Sequence, residues 1–230
     1  MRPFVGKLFL AVAFSSAAFY LFEAGFDLRM EMDGNRFPAY MALVKSQHFP
    51  QGEGQIPAAW NSRQLACVLS GRWFDFWNPD PFNWIEGRIC FGAYHATWFF
   101  LTLLLLLATL ESSWLPMFGV TAGIFSNSFL SWPPLYLPWD MPAMFFFTLA
   151  CLLFDRGWVG LLLPVVLLGG LFKETVLCCS LLILLGAHWD WKRRLAGFLA
   201  VNLATFGVNR LFMAHYGMDM QTLTMNNATT

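Results

Sequence analysis

The chain has 230 residues, of which 57% are hydrophobic, 18% are aromatic and only 12% are charged. Soluble globular proteins carry about 25% charged residues, so this composition excludes a chain whose whole surface faces water. Lys and Arg together number 14, as do Asp and Glu, and the net charge of zero leaves no overall field that would attract nucleic acid. We therefore expect an all-α integral membrane protein, a polytopic bundle of about seven transmembrane helices.

The first apolar run, residues 5–22, predicts a membrane-spanning helix that follows Arg2. Small residues at 17 and 18 leave a cleaved signal peptide open as an alternative. The run continues through the bulky residues 19–22, which favours an uncleaved anchor.

Residues 23–90 are polar and aromatic, and we predict that they form a long extracytoplasmic first loop. Proline and glycine interrupt it at 50–52 and at 79–81. The stretches 40–47 and 64–76 have apolar residues at helical spacing. These two stretches predict amphipathic helices on the membrane surface, with tryptophans at headgroup level.

Further apolar runs predict the remaining spans, at residues 91–110, 117–130, 140–155, 157–172, 175–187 and 195–213. One long helix over 158–187 with a central Lys-Glu is an alternative, but Gly169-Gly170 favours a break. We predict a single transmembrane domain over residues 1–217. A polar tail, residues 218–230, is predicted to be disordered.

Lysine and arginine in short loops predict the orientation in the membrane. With a cytoplasmic N-terminus, the short outer segments hold only Lys173 and Arg210. The inner segments hold Arg2, Lys7, Arg156, Lys192, Arg193 and Arg194.

The cysteines and histidines show no spacing typical of metal ligands, so no cofactor is predicted, and a divalent cation is left open. Cys67 and Cys90 are candidates for a disulfide only if their loop is in an oxidising compartment.

In the predicted orientation, the first loop, Asp140 and Lys173-Glu174 all reach the extracytoplasmic side. Ionisable residues at membrane depth usually face a cavity and carry function. Alternatively, Lys173 and Glu174 flank a helix end, with the lysine extending towards the interface.

Short motifs in these segments resemble a known family. Residues 139–142 read Trp-Asp-Met-Pro and open an apolar helix, and residues 169–175 read Gly-Gly-Leu-Phe-Lys-Glu-Thr. In the first loop, Asp33-Gly34 precedes Tyr40, and Arg63-Gln64-Leu65 follows. Together they resemble bacterial multi-spanning glycosyltransferases of the GT-C superfamily. The chain departs from that pattern because no clear Asp-Asp or Asp-Glu pair follows the first helix, and its lower helix number leaves a truncated or minimal member open.

The resemblance extends over roughly residues 5–215 and implies transfer of a sugar from a polyprenyl-phosphate donor to an acceptor on the outer face of a bacterial inner membrane. Membrane lipid and the lipid-linked donor are then the expected partners, nucleic acid is not, and protein partners are left open.

Each candidate residue has a role in that chemistry. Asp33, with Asp27 second, would take the proton of the acceptor hydroxyl, although a solvated loop carboxylate is the alternative for both. Lys173 and Arg63 would stabilise the phosphate leaving group. The remaining substrate-binding candidates are Glu174, which would hold Lys173 in place, Asp140, which would orient a hydroxyl or cap its helix, and Tyr40, which would stack on a sugar ring.

Two other classes fit part of the pattern. A transporter or flippase component also builds its site from broken helices with charges near the break, although the hydropathy shows no internal repeat. A non-catalytic membrane scaffold is the third interpretation.

Overall fold

The computed structural model describes residues 2–33, 64–78, 83–109, 140–186 and 189–215. Within these ranges the protein is all-helical, with seven α-helices, one 3₁₀-helix and no β-strand, which confirms the predicted all-α class for this part of the chain. Outside the described residues lie the predicted stretches 40–47, 117–130 and 218–230.

The helices form two packed groups that meet along one long helix. In chain order they are α1 (Arg2–Asp33), α2 (Gln64–Trp77), α3 (Trp84–Thr109), α4 (Asp140–Asp155), α5 (Val159–Phe172), the 3₁₀-helix (Glu174–Cys179), α6 (Ser180–Leu185) and α7 (Trp191–His215). Helix α1 packs on α3, and α3 contacts α4. Helix α5 packs against α4, α6 and α7, and α2 contacts α3 and α5. The amphipathic helix predicted at 64–76 is confirmed as α2.

Helix α1 is longer than predicted. It continues past residue 22 to Asp33, so the prediction that a loop begins at residue 23 is wrong. The extension contains no proline and is rich in Glu, Ala, Leu, Arg and Met, which favour helix whether or not they are apolar. The last turns of α1 therefore include Asp27 and Asp33, which were predicted to lie in a loop.

Helices α1 and α3 run antiparallel and are joined by a polar contact near each end. At one end Lys7 Nζ donates to the carbonyl oxygen of Leu107, 2.9 Å away, in the last turn of α3, where backbone carbonyls lack helical partners. At the other end Glu23 Oε1 lies 3.7 Å from Arg88 Nε. Between them the rings of Phe22 and Phe99 meet edge to face.

Helix α3 begins at Trp84 rather than at the predicted residue 91, because Asn83 caps it. Asn83 Oδ1 accepts hydrogen bonds from the backbone N–H groups of Ile85 and Glu86, at 3.2 and 3.4 Å. Its Nδ2 donates to Glu86 Oε1 at 2.8 Å. A cap of this kind satisfies backbone N–H donors at the start of a helix. The polar residues that form this cap were predicted to belong to the first loop.

Among the described residues, one helical segment, Ile85–Leu107, is long and apolar enough to cross a membrane. The other apolar helices are shorter and comprise Val5–Tyr20, Val159–Phe172 and Glu174–Leu185. Helix length therefore does not establish the polytopic arrangement predicted from the sequence.

Helices α4 and α5 form an antiparallel hairpin whose turn requires glycine. The N–H of Trp158 donates to the carbonyl of Leu153 and the N–H of Gly157 to that of Phe154, both at 2.9 Å. This is the Schellman pattern, which places the residue after the helix in the left-handed region. Gly157 occupies that position with φ of 70°.

After α5 the chain reverses at Lys173, whose backbone is extended with φ of −156° and ψ of 128°. The 3₁₀-helix and α6 then return along α5, so that a Cβ placed on Gly186 would lie 3.3 Å from Val159 Cγ2. The alternative of one long helix over 158–187 is therefore wrong.

The break predicted between the runs 157–172 and 175–187 is confirmed, although Gly169 and Gly170, which favoured it, are themselves helical and buried. They serve close packing instead. A Cβ on Gly169 would lie 2.5 Å from Val176 Cγ1 and 2.8 Å from Phe146 Cβ, distances that Cβ atoms do not adopt without displacement of a neighbour.

Helix α7 begins at Trp191 rather than at the predicted residue 195, because Asp190 Oδ1 accepts a 2.8 Å hydrogen bond from the N–H of Arg193. The adjacent Arg194 donates from Nη1 to the carbonyl oxygen of Leu184 at 3.0 Å. This contact satisfies a carbonyl in the last turn of α6.

The charges of the α4–α7 bundle divide between its two ends. The turn at Gly157 and the start of α7 share one end, which carries the four basic residues Arg156, Lys192, Arg193 and Arg194 and two acidic residues, Asp155 and Asp190. The opposite end carries Asp140, Lys173, Glu174 and Arg210.

We expect Gly169→Ala to destabilise the protein by about 1–3 kcal/mol, because the added methyl group would overpack the contact with Val176 and Phe146. The matched control is Gly160→Ala on the same helix, where a Cβ meets nothing within 4 Å. It should leave the melting temperature in detergent unchanged or slightly raised. Equal melting temperatures for the two variants would contradict this account of the packing.

Candidate functional site

An ion pair closes the open end of the α4–α5 hairpin. Lys173 Nζ donates to Asp140 Oδ1 over 2.7 Å, between residues 33 apart in the chain. The two side chains are 27% and 18% exposed, respectively. The structure thus brings together two of the residues predicted to share a site.

Local structure favours both charges where they lie. Asp140 is the first residue of α4, and the N-terminus of a helix carries a partial positive charge that stabilises a carboxylate. Lys173 follows the last residue of α5, where the partial charge is negative and stabilises an ammonium group. The pair therefore has favourable interactions with two helix ends as well as with each other.

An aromatic cluster from three helices adjoins the pair. The ring centroid of Trp98 on α3 lies 6.2 Å from that of Phe146 and 5.6 Å from that of Phe172. Phe146 and Phe172 are 5.2 Å apart. Leu65 and Ala66, early in α2, pack against the same cluster. Four helices therefore meet around Phe172, the residue that precedes Lys173.

Lys173 has a partner that was not predicted for it. Glu174 was expected to hold the lysine, but the carboxylate found 2.7 Å from Nζ belongs to Asp140. Glu174 is exposed and begins the 3₁₀-helix. Because the backbone is extended at Lys173, side chains of consecutive residues diverge there, and the lysine meets a helix distant in sequence.

The other predicted site residues have no described side-chain geometry. Arg63 and Tyr40 lie outside the described residues, and of Asp27 and Asp33 only the helical backbone is described.

A second ion pair, between Glu23 and Arg88, was not predicted as part of a site. The Glu23 side chain is only 13% exposed and that of Arg88 33%. A Cβ on Gly92 would lie 3.1 Å from Glu23 Cγ, so the absence of a side chain at Gly92 lets the glutamate lie close against α3. Their positions in the sequence could have indicated this pair. Glu23 is the first acidic residue after the apolar run 5–22, and Arg88 is the last basic residue before the run 91–110.

Two further features bear on ligand binding. The described residues hold no group of three His, Cys, Asp or Glu side chains that could bind a metal ion. An open groove of about 540 Å³ between α1 and α3 contains none of the predicted site residues; it is lined by Val12, Ser15, Ser16, Phe19, Tyr20, Ala93, Ala96, Thr97 and Phe100.

Comparison of the chain with protein-family models, with curated proteins and with solved structures finds no match. A functional interpretation therefore depends on the short motifs in the sequence and on the chemistry of the site itself.

A double-mutant cycle tests the coupling between Asp140 and Lys173. We expect Asp140→Asn and Lys173→Gln each to lower stability, and the double variant to lose less than the sum, with a coupling energy of about 0.5–3 kcal/mol. The exposed pair Arg193–Asp190, with side chains 76% and 57% exposed, is the control and should show coupling near zero. Additive losses at Asp140 and Lys173, measured by thermal unfolding in detergent, would show that the contact does not hold the hairpin closed.

Proposed function

We propose that the protein is an integral membrane glycosyltransferase similar to the GT-C superfamily, which transfers a sugar from a polyprenyl-phosphate donor to an acceptor on the extracytoplasmic face. The observation that carries this proposal is the paired Lys173 at a helix break, at the end of the bundle opposite the basic turn. A cation in that place suits the phosphate of a lipid-linked donor.

The proportions of the hairpin support a site at membrane depth. Helix α5 has 14 residues, which span about 21 Å. The return limb, with six residues in the 3₁₀-helix and six in α6, also spans about 21 Å. When the basic turn is placed at the cytoplasmic interface, Lys173 is about 21 Å from that interface. It then lies inside an apolar layer about 30 Å thick rather than at its outer surface. An ionisable pair at such a depth is costly unless it lines a polar cavity.

The proposed reaction is a direct displacement. The oxygen of the acceptor hydroxyl attacks the anomeric carbon of the sugar, and the bond from that carbon to the phosphate oxygen breaks. The electron pair of that bond leaves with the polyprenyl phosphate, and the acceptor proton passes to Asp33, with Asp27 as the second candidate.

Lys173 stabilises the negative charge that develops on the leaving phosphate, and Arg63 is the second candidate cation. Asp140 keeps Lys173 in position before the donor binds. Once the phosphate contacts Lys173, Asp140 can accept a hydrogen bond from a substrate hydroxyl, while Tyr40 and Glu174 stay as substrate-binding candidates.

The helix break also favours a second candidate function, that of a transporter or flippase component. An extended residue between two short helices, with a charge at the break, is how membrane carriers expose polar groups at depth. Both functions require binding of a lipid phosphate, but only the transferase breaks the bond between sugar and phosphate.

We expect Lys173→Gln to weaken binding of farnesyl phosphate by about 10–100-fold, because a charge-assisted contact contributes about 1.5–3 kcal/mol. Binding to the purified protein in detergent is measured by isothermal titration calorimetry. Lys173→Arg should keep part of the affinity, and Lys192→Gln, an exposed lysine at the basic end, should keep all of it. Equal affinities of the wild type and Lys173→Gln would remove Lys173 from the phosphate site.

We expect Asp33→Asn to lower the release of farnesyl phosphate from farnesyl phosphoryl-hexoses by at least about 100-fold, because proton removal from the acceptor is lost, while farnesyl phosphate still binds. Release is followed by mass spectrometry in proteoliposomes supplied with bacterial membrane lipids as acceptors. Asp155→Asn, at the basic end, is the control. Full activity of Asp33→Asn would exclude Asp33 as the base, and a wild type that binds but never cleaves these donors would support the transport function.

A further inference from the structure

Helix α7 crosses the return limb in a register that two contacts define. Asn202 Nδ2 donates to Ser180 Oγ at 3.1 Å. Closer to the C-terminus of α7, Thr205 Cγ2 lies 3.2 Å from the Cβ position of Gly170, which Leu177 Cδ2 also approaches at 2.6 Å. Residue numbers therefore rise along α7 as they fall along the limb, and α7 runs towards Lys173.

Continuing this register places Asn209 beside the ion-pair end of the bundle. Residues 202, 205 and 209 are spaced three and four apart, so they share one face of α7. Asn209 lies one turn beyond Thr205, about 6 Å along the axis. Glu174 lies three residues before Leu177, also about 6 Å along a 3₁₀-helix. If the register continues unchanged, Asn209 lies near the level of Glu174.

The side chain of Asn209 differs from that of Asn202 in its hydrogen bonding. Asn202 Nδ2 donates both to Ser180 Oγ and to the carbonyl oxygen of Phe198, at 3.1 and 2.8 Å. Asn209 Oδ1 is buried and accepts no hydrogen bond in the described part of the chain. The neighbouring Arg210 instead lies over the ring of Phe206, with its Cζ 5.2 Å from the centroid.

A buried amide oxygen without a donor is unfavourable, and such groups in native proteins are few. Leucine has the same number and branching of side-chain heavy atoms but no polar atom, so an amide at this position needs a reason other than shape. A ligand that donates a hydrogen bond would satisfy it. The amide also carries a donor group, so a hydroxyl, which both donates and accepts, matches it fully.

We propose that Asn209 is a further substrate-binding residue of the site at Lys173 and that its amide binds a hydroxyl of an uncharged sugar headgroup. This inference rests on the proposed function. It divides recognition between two residues: Lys173 binds the phosphate, and Asn209 binds the sugar attached to it.

The first test compares two kinds of ligand on the purified full chain. Farnesyl phosphate carries the phosphate alone, and farnesyl phosphoryl-glucose, -mannose and -galactose add a sugar. We expect the wild type to bind at least one of the hexosyl ligands about tenfold more tightly than farnesyl phosphate. Asn209→Leu should lose that difference and keep the affinity for farnesyl phosphate, whereas Lys173→Gln should weaken both kinds of ligand alike.

The second test needs no ligand. We expect Asn209→Leu to leave the melting temperature unchanged or raised, because it removes an unsatisfied buried oxygen. Asn202→Leu is the matched control, and it should lower the melting temperature because it breaks the hydrogen bond to Ser180. A lowered melting temperature for Asn209→Leu, together with weaker binding of every ligand, would show a structural role and overturn the inference.

The two proposals fail in different ways. If the wild type binds farnesyl phosphate but Asn209→Leu keeps the preference for a hexosyl ligand, or if the wild type has no such preference, the assignment of Asn209 is wrong and the phosphate site stands. If the wild type binds none of the four ligands, the proposed function is wrong and the inference falls with it.

Discussion

The ion pair between Lys173 and Asp140 is the contact on which the α4–α5 hairpin and its site depend. The chain reverses at Lys173 with an extended backbone, which leaves a charged side chain beside an aromatic cluster. Asp140 neutralises that charge at 2.7 Å from the start of the neighbouring helix. A reversal at this point without such a partner would leave a partly buried cation unpaired, which is unfavourable.

Close packing behind the ion pair gives it a defined position. Gly169 and Gly170 bring the return limb and helix α4 nearer to α5 than any residue with a Cβ would allow. The rings of Phe146, Phe172 and Trp98 fill the space between the helices. Small residues at helix contacts and aromatic residues between them give van der Waals packing, which is the main source of helix association in membranes.

The two asparagines on α7 lie on one helix face but have different roles: Asn202 stabilises the packing, and Asn209 is proposed to bind a ligand. Asn202 donates a hydrogen bond to Ser180 and so links α7 to the return limb, whereas Asn209, further along α7 towards Lys173, has a buried oxygen for which the described residues provide no donor. Sites that bind ligands commonly retain polar groups that the empty protein cannot satisfy, at some loss of stability. In the proposed transferase, the uncharged headgroup of the donor would complete that hydrogen bonding.

The sequence by itself determined the helical class and the positions of α2, α4 and α5, because apolar periodicity is a local signal. It also predicted that Asp140 and Lys173 lie on the same side. Only the tertiary structure decided where α1 ends and that Asp140 contacts Lys173. Hydropathy marks where a helix can be buried and not where it stops, so the polar turns of α1 and the Asn83 cap of α3 were assigned to a loop. The packing of Gly169 against Val176 and Phe146 and the burial of Asn209 Oδ1 also came only from the tertiary structure, because both depend on residues that local sequence patterns do not relate.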